Sequence, residues 1–219
     1  MDKSSQYGLA LVGFYTYNSI FNIDHNNNVF QYKKTDVEVE WTTISIPFGS
    51  YEISDIEKAL ITALQISSKD KDEKILSIKP NNNTLKCEIE CKYNISFNAK
   101  NSIGKVLGFK DALLRKFQKH ESVFPVDIIK VRIIRIDCNI TTGAYLNSHQ
   151  SHTIFEFDID VEPGYKLSKE PTNIIYMPLK PNGNQSIDNI TLRILDDNGD
   201  LIDFRGEKII VKLELKKIT

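Results

Sequence analysis

The chain has 219 residues, 41% hydrophobic and 26% charged, which is the make-up of a globular protein and excludes a disordered one. At this length folding buries roughly 70% of the unfolded surface, so no disulfide or metal staple is needed. With 28 basic against 29 acidic residues, and one Lys and one Asp in residues 1–6, a role in packaging nucleic acid is excluded too.

In chain order, the first strand signal covers residues 8–17 and the next residues 37–46. Aromatic residues crowd the first forty positions, among them Tyr7, Phe14, Tyr15, Tyr17, Phe21, Phe30, Tyr32 and, just beyond, Trp41. Such residues fill a core or a subunit interface more often than they build a stacking platform. A helix follows: Ser54 and Glu57 have capping-box spacing, and Ile56, Leu60, Ala63 and Leu64 share one face. The charged stretch 69–74 reads as a solvated connection. Strands are expected at 74–78, 84–90 and 93–97, then a short helix at 102–107 closed by Gly108.

Residues 127–140 are so dense in Ile and Val that they read as one long strand. Its apolar phase flips at Ile133-Ile134, which calls for a β-bulge or for burial of both faces. Further strands are expected at 153–159, 173–177, 190–195, 201–204 and 208–216. The last is the clearest, because Ile209, Val211, Leu213 and Leu215 alternate with charged residues. Residues 196–200 (DDNGD) form a turn with Gly199 at its left-handed position. No repeat, linker or composition break marks a second domain, so the expectation is one all-β domain over residues 1–219, a β-sandwich or barrel.

Chemistry is sparse. Cys87, Cys91, His149 and His152 are the one set that resembles a zinc site, but the spacings are wrong. Cysteines four apart on a strand lie about 13 Å from each other, so a shared metal would need a turn at residues 88–90. A calcium-loop pattern at Asp196, Asn198, Asp200 and Glu207 has Leu201 where glycine is required. No nucleophile elbow, phosphate loop or zinc-protease motif is present, and Ser122 beside His120 and Glu121 is only a neighbour in sequence. The expectation is a protein that is not an enzyme and has no cofactor and no metal.

The three cysteines, Cys87, Cys91 and Cys138, read as free thiols of a reducing compartment. Sequons at Asn82, Asn94, Asn139, Asn184 and Asn189 follow from an Asn-rich composition. With no signal-peptide pattern and no apolar run near the ~20 residues a membrane span needs, a soluble protein made in the cytosol is expected.

Several segments resemble the minor capsid (penton) proteins of Polinton/Maverick elements, also called adintoviruses. These are residues 45–57 (SIPFGSYEISDIE), 101–109 (NSIGKVLGF), 120–126 (HESVFPV) running on to Tyr145, 163–166 (PGYK) and 192–207 (LRILDDNGDLIDFRGE), with 15–20 (YTYNSI) near the start. The resemblance implies a single jelly-roll β-sandwich of eight core strands in two packed four-stranded sheets. It also implies homopentamers at the five-fold vertices of an icosahedral shell, beside a double jelly-roll major capsid protein, in a virion. No nucleic-acid or membrane contact is implied. Polar loops at 141–152 and 163–171 are the candidate subunit-contact or exposed-tip segments, with Thr142, Tyr145, Asn147, His149 and Tyr165 as their candidate residues. The other classes weighed are a carbohydrate- or receptor-binding β-sandwich and a small hydrolase on a jelly-roll scaffold.

Overall fold

The computed structural model describes residues 6–71, 74–146, 148–180 and 187–218. Its first elements are β1 (Tyr7–Tyr17), β2 (Val29–Lys33), β3 (Thr42–Ser45), α1 (Ile53–Ser68), β4 (Leu76–Asn81), β5 (Lys86–Cys91) and β6 (Asn94–Ser96). A 3₁₀ turn at Ile103–Lys105 precedes β7 (Leu113–Leu114), β8 (Lys119–Glu121) and β9 (Ile133–Cys138). Then come β10 (Ala144–Leu146), β11 (His149–Ser151), β12 (Thr153–Asp158), β13 (Lys166–Lys169), β14 (Met177–Pro178), β15 (Leu192–Leu195) and β16 (Ile210–Lys217). The chain divides into two compact units, residues 21–130 and residues 1–20 with 131–219.

In the unit of residues 1–20 and 131–219, β1 is the central strand of one sheet. It pairs antiparallel with β16 along its length, and with β13 and β14 on its other side. A second sheet has the order β12-β9-β15, again antiparallel. The two face each other across one core: Leu9, Leu11, Phe14 and Leu167 from the first meet Ile134, Ile136, Cys138, Ile154 and Phe157 from the second. That is a β-sandwich. Its described strands number four in one sheet and three in the other, against the four and four implied by the resemblance. The Gly199 turn is present, with φ of 89° and the Asp196 carboxylate accepting from the Asn198 and Asp200 N–H groups. That carboxylate is committed to the turn, as the hairpin reading requires.

The unit of residues 21–130 has two antiparallel sheets, β3-β2-β6-β7 and β4-β5-β8. The buried face of α1, Ile56, Leu60 and Leu64, joins their side chains in a single core. Phe30, Phe97 and Phe109 form its aromatic centre, with ring centroids 5.9 and 5.3 Å apart.

Four expectations are corrected here. The long strand is confined to Ile133–Cys138. Residues before Val131 serve the other unit: the Val126 and Asp127 N–H groups donate to Leu85 and Val106, and Ile128 packs on that unit's core. The phase flip reflects this ending together with burial of both faces, since Ile134, Arg135 and Ile136 are all buried; the bulge lies on β12, at Thr153–Phe155. Strands expected at 37–46 and 173–177 shrink to β3 and β14, and 201–204 keeps one isolated bridge, Leu195–Leu201. The short helix at 102–107 is a 3₁₀ turn capped by the Ser102 hydroxyl, which accepts from Gly104 N–H.

The fourth correction is the capping box. Helix α1 starts two residues earlier than that motif requires, with Glu52 as N-cap and no side-chain cap bond. The Glu57 carboxylate instead accepts from the Ile78 N–H of β4 at 3.0 Å, because β4 is an edge strand whose outward N–H needs a partner. Ser54→Ala is therefore expected to change stability by under about 0.5 kcal/mol, whereas Glu57→Ala should cost about 1–3 kcal/mol. Urea midpoints of the two variants check this, and a larger loss at Ser54 would restore the capping box.

Candidate assembly surfaces

Residues 140–152 leave β9 and return to β12 as a small arm. The Thr141 hydroxyl donates to Cys138 O at 3.0 Å, and Thr142 N–H donates to Pro178 O, which fixes the arm's base. From there β10 and β11 pair as a two-stranded ribbon, with Tyr145 opposite Gln150 and Leu146 opposite His149. The Gln150 amide donates to the Thr142 hydroxyl at 2.6 Å, closing the arm on itself. Tyr145 is 74% exposed and His149 is exposed as well. Thr142, Tyr145 and His149 are thus brought together on one arm, while Asn147 lies outside the described residues.

Tyr165 is elsewhere. It ends a turn in which its N–H donates to Glu162 O, and its own carbonyl accepts from Asn18 N–H, one residue past β1. The arm is tied to Pro178, which pairs with Gly8 at the opposite end of the same strand. Gly8 and Tyr17 are nine steps apart on β1, so at about 3.3 Å per residue the two features stand on the order of 30 Å apart. The five candidate residues are therefore not one site.

Beside the arm is a feature the sequence did not disclose. A pocket of about 450 Å³ is walled by Leu11, Tyr145, Leu146, Phe155, Ile175 and Met177 among others, with Glu156 its one carboxylate. Its walls come from β1, the arm, β12 and residues 171–177, segments no spacing rule connects. A single exposed carboxylate among apolar walls offers no acid–base pair. Leu146 and Ile175, which line it, stay 41% and 67% exposed.

Two histidine rings are committed elsewhere. The His152 Nδ1–H donates to Thr141 O at 2.8 Å and the His120 Nε2–H to Arg115 O at 2.9 Å. Cys87 and Cys91 lie on an unbroken strand paired on both sides, so the turn a shared metal would need is not there. Burial pushes the Cys87 thiol up to about 12, reinforced by the charges of Glu88 and Glu57, and the Cys91 thiol up to about 11. Burial raises Cys138 as well. Among the described residues no group of three His, Cys, Asp or Glu side chains is placed to hold a metal, and no helix is long and apolar enough to cross a membrane.

These thiols make a pH prediction. A thiol ionises near 9 once unfolded but stays neutral in the fold until about 11–12, so the unfolded state releases protons first. Stability should accordingly be flat below pH 8 and fall as pH rises from about 9. In parallel, Ellman's reagent at pH 8 should find no fast-reacting thiol before denaturant and three after it. A rapidly modified native thiol would contradict the assigned burial.

On the outer face of the β1 sheet, aromatic rings are capped by lysines. Lys212 Nζ lies 4.8 Å and Lys166 Nζ 5.9 Å from the Tyr15 ring centroid, and Lys216 Nζ lies 5.2 Å from that of Tyr176. The Tyr15 hydroxyl donates to Glu170 and the Tyr176 hydroxyl to Glu214, the latter at 2.9 Å. The first-forty aromatics thus divide: Phe14, Phe30 and Tyr32 are core, Tyr15 is a lysine-covered surface ring, and Tyr17 is 51% exposed.

No protein-family model matches the chain, and no curated protein matches it. Among solved structures, the crystal structure of the mavirus penton protein matches at a TM-score of 0.50 and 14% identity, covering 100% of this chain and 87% of that one. The cryo-EM structure of the Sputnik virophage at 3.5 Å matches at a TM-score of 0.37 and 15% identity, covering 96% of this chain and 87% of that one. In fold, this chain is an all-β jelly-roll sandwich like the mavirus penton protein, as the resemblance of its segments implied.

Proposed function

We propose that residues 1–219 act as one jelly-roll capsid domain, a penton that closes the five-fold vertices of an icosahedral shell as a homopentamer. Its surroundings would be a double jelly-roll major capsid protein, in the particle of a Polinton/Maverick element. The observation that carries this reading is the fold match to the mavirus penton protein across the whole chain. Near-neutral charge agrees with a protein that need not grip a genome or a membrane. On this reading the chain has no catalytic role and no cofactor, is made in the host cytoplasm and ends in the virion.

The mechanism is self-association through unlike surfaces. A ring that closes by head-to-tail contact needs two different patches on each subunit. The arm with its pocket, and the Tyr165 turn at the other end of β1, are two such patches. Tyr145→Asp with His149→Asp should abolish a five-subunit species in sedimentation velocity, and so should Tyr165→Asp. Because all three side chains are exposed, the variants should melt within a few degrees of the parent. Unaltered assembly by both variants would reject the assignment of these patches.

A second reading, a carbohydrate- or receptor-binding β-sandwich, is favoured by one observation: the pocket combines the Tyr145 ring with Asn173 and Glu156. Glycan-array binding by the monomer, lost in Tyr145→Ala, would select it.

A further inference from the structure

Strand β16 is the edge of its sheet. Among the described residues it pairs only with β1, and the N–H and C=O groups on its other side are turned outward. Its eight residues are unbroken by proline. The irregularity in its ladder belongs to β1, where the register steps from Leu11 opposite Leu213 to Gly13 opposite Lys212. The free edge is thus straight and regular. It also leaves apolar surface uncovered: Leu215 has the core-facing parity of Val211 and Leu213, yet is 47% exposed.

We propose that this edge pairs antiparallel with β16 of a second copy, about a two-fold axis through Leu213. Register selects that axis. An odd shift would set the core face of one strand against the wet face of the other, so the axis must pass through a residue. An axis at Lys212 sets lysine against lysine, and one at Glu214 sets glutamate against glutamate and Lys212 against Lys216. An axis at Leu215 matches Glu214 with Lys216, but sets Leu213 against Lys217 on the core face. An axis at Leu213 places Lys212 opposite Glu214 twice on the wet face, and Val211 opposite Leu215 twice on the core face. Only that register matches unlike charges while giving each apolar core-face residue of β16, Val211, Leu213 and Leu215, an apolar partner. Lys212 and Glu214 are both exposed on the required face, held over Tyr15 and beside Tyr176. The contact is isologous, whereas ring closure needs unlike patches, so it stands independently of the capsid reading.

Leu213 would meet itself at the axis, which gives the test. Leu213→Cys chains treated with diamide should form a disulfide-linked dimer on a non-reducing gel. Lys217→Cys, which would lie opposite Ile209, should not. The three native thiols are buried and form no background. In the Leu213→Cys background, Lys212→Glu or Glu214→Lys alone should lower the cross-linking rate by about tenfold, since each sets like charges face to face twice. Lys212→Glu with Glu214→Lys together should restore it. Both single changes also disturb the contacts with Tyr15 and Tyr176, and the double change does not rebuild those; its recovery therefore reports the pairing between copies. Absence of the Leu213→Cys cross-link in protein that melts like the parent overturns the proposal, as does failure of the double change to recover. The readout is a covalent dimer whether or not larger rings form, so a failed pentamer and a failed edge pair are told apart.

Discussion

Gly108→Ala is expected to destabilise residues 21–130 by more than about 3 kcal/mol. Two costs combine. The residue has φ of 79°, a left-handed conformation that L side chains adopt at about 1 kcal/mol. A Cβ there would also lie 2.2 Å from the Phe124 carbonyl oxygen and 2.9 Å from the Ser122 hydroxyl. Neither neighbour can retreat. Phe124 N–H donates to the Gly108 carbonyl, and the Ser122 hydroxyl is itself held between Phe124 O and Cys87 N–H. Gly164 supplies the control, with φ of 86° and nothing within 4 Å of where an added methyl would sit. Its alanine variant should lose only about 1 kcal/mol. Urea unfolding and hydrogen exchange across residues 21–130 measure the first, and urea unfolding alone the second. Equal losses at the two glycines would mean that the close approach to Phe124 is not real.

The second large effect is expected at Phe14. It is fully buried in the sandwich, with the Phe157 ring at 5.2 Å and the Phe204 ring at 6.3 Å between centroids. Phe14 comes from β1 and Phe157 from the facing sheet, so the pair ties the two layers. Phe14→Ala should cost about 3–5 kcal/mol, and Phe14→Leu roughly a third of that because most of the volume is kept. The denaturant midpoint should shift at constant slope. A loss below about 1 kcal/mol for the alanine variant would place Phe14 outside the core.

Legibility in the sequence followed the strength of local pattern. Strand β16 was readable because its apolar residues alternate over several steps, as one buried face imposes, and β1 and β12 because they are dense in apolar and aromatic residues. Strands β10, β11 and β13 were not, since a polar ribbon or a short edge has little apolar signal to give. The stretch 127–140 misled because it serves two bodies: Ile128 packs in one core and Ile134 in the other, and composition alone does not show the crossing at Val131. Glu57 misled for a related reason, as a tertiary partner, the Ile78 N–H, outcompeted the local cap. Of the candidate contact residues, Thr142, Tyr145 and His149 share an arm because they share a loop. The pocket beside them, with Phe155, Ile175 and Met177, was invisible because its walls are assembled only by folding.

If the flanks of this sandwich, rather than a reactive cleft, are its working parts, the purified chain should build a ring by itself. Native mass spectrometry at low micromolar concentration reads this out. The expected spectrum holds a discrete species at five times 25.1 kDa, which the Tyr165→Asp variant does not form. A spectrum holding only monomer, with Tyr145-dependent glycan binding by that monomer, would contradict the capsid reading.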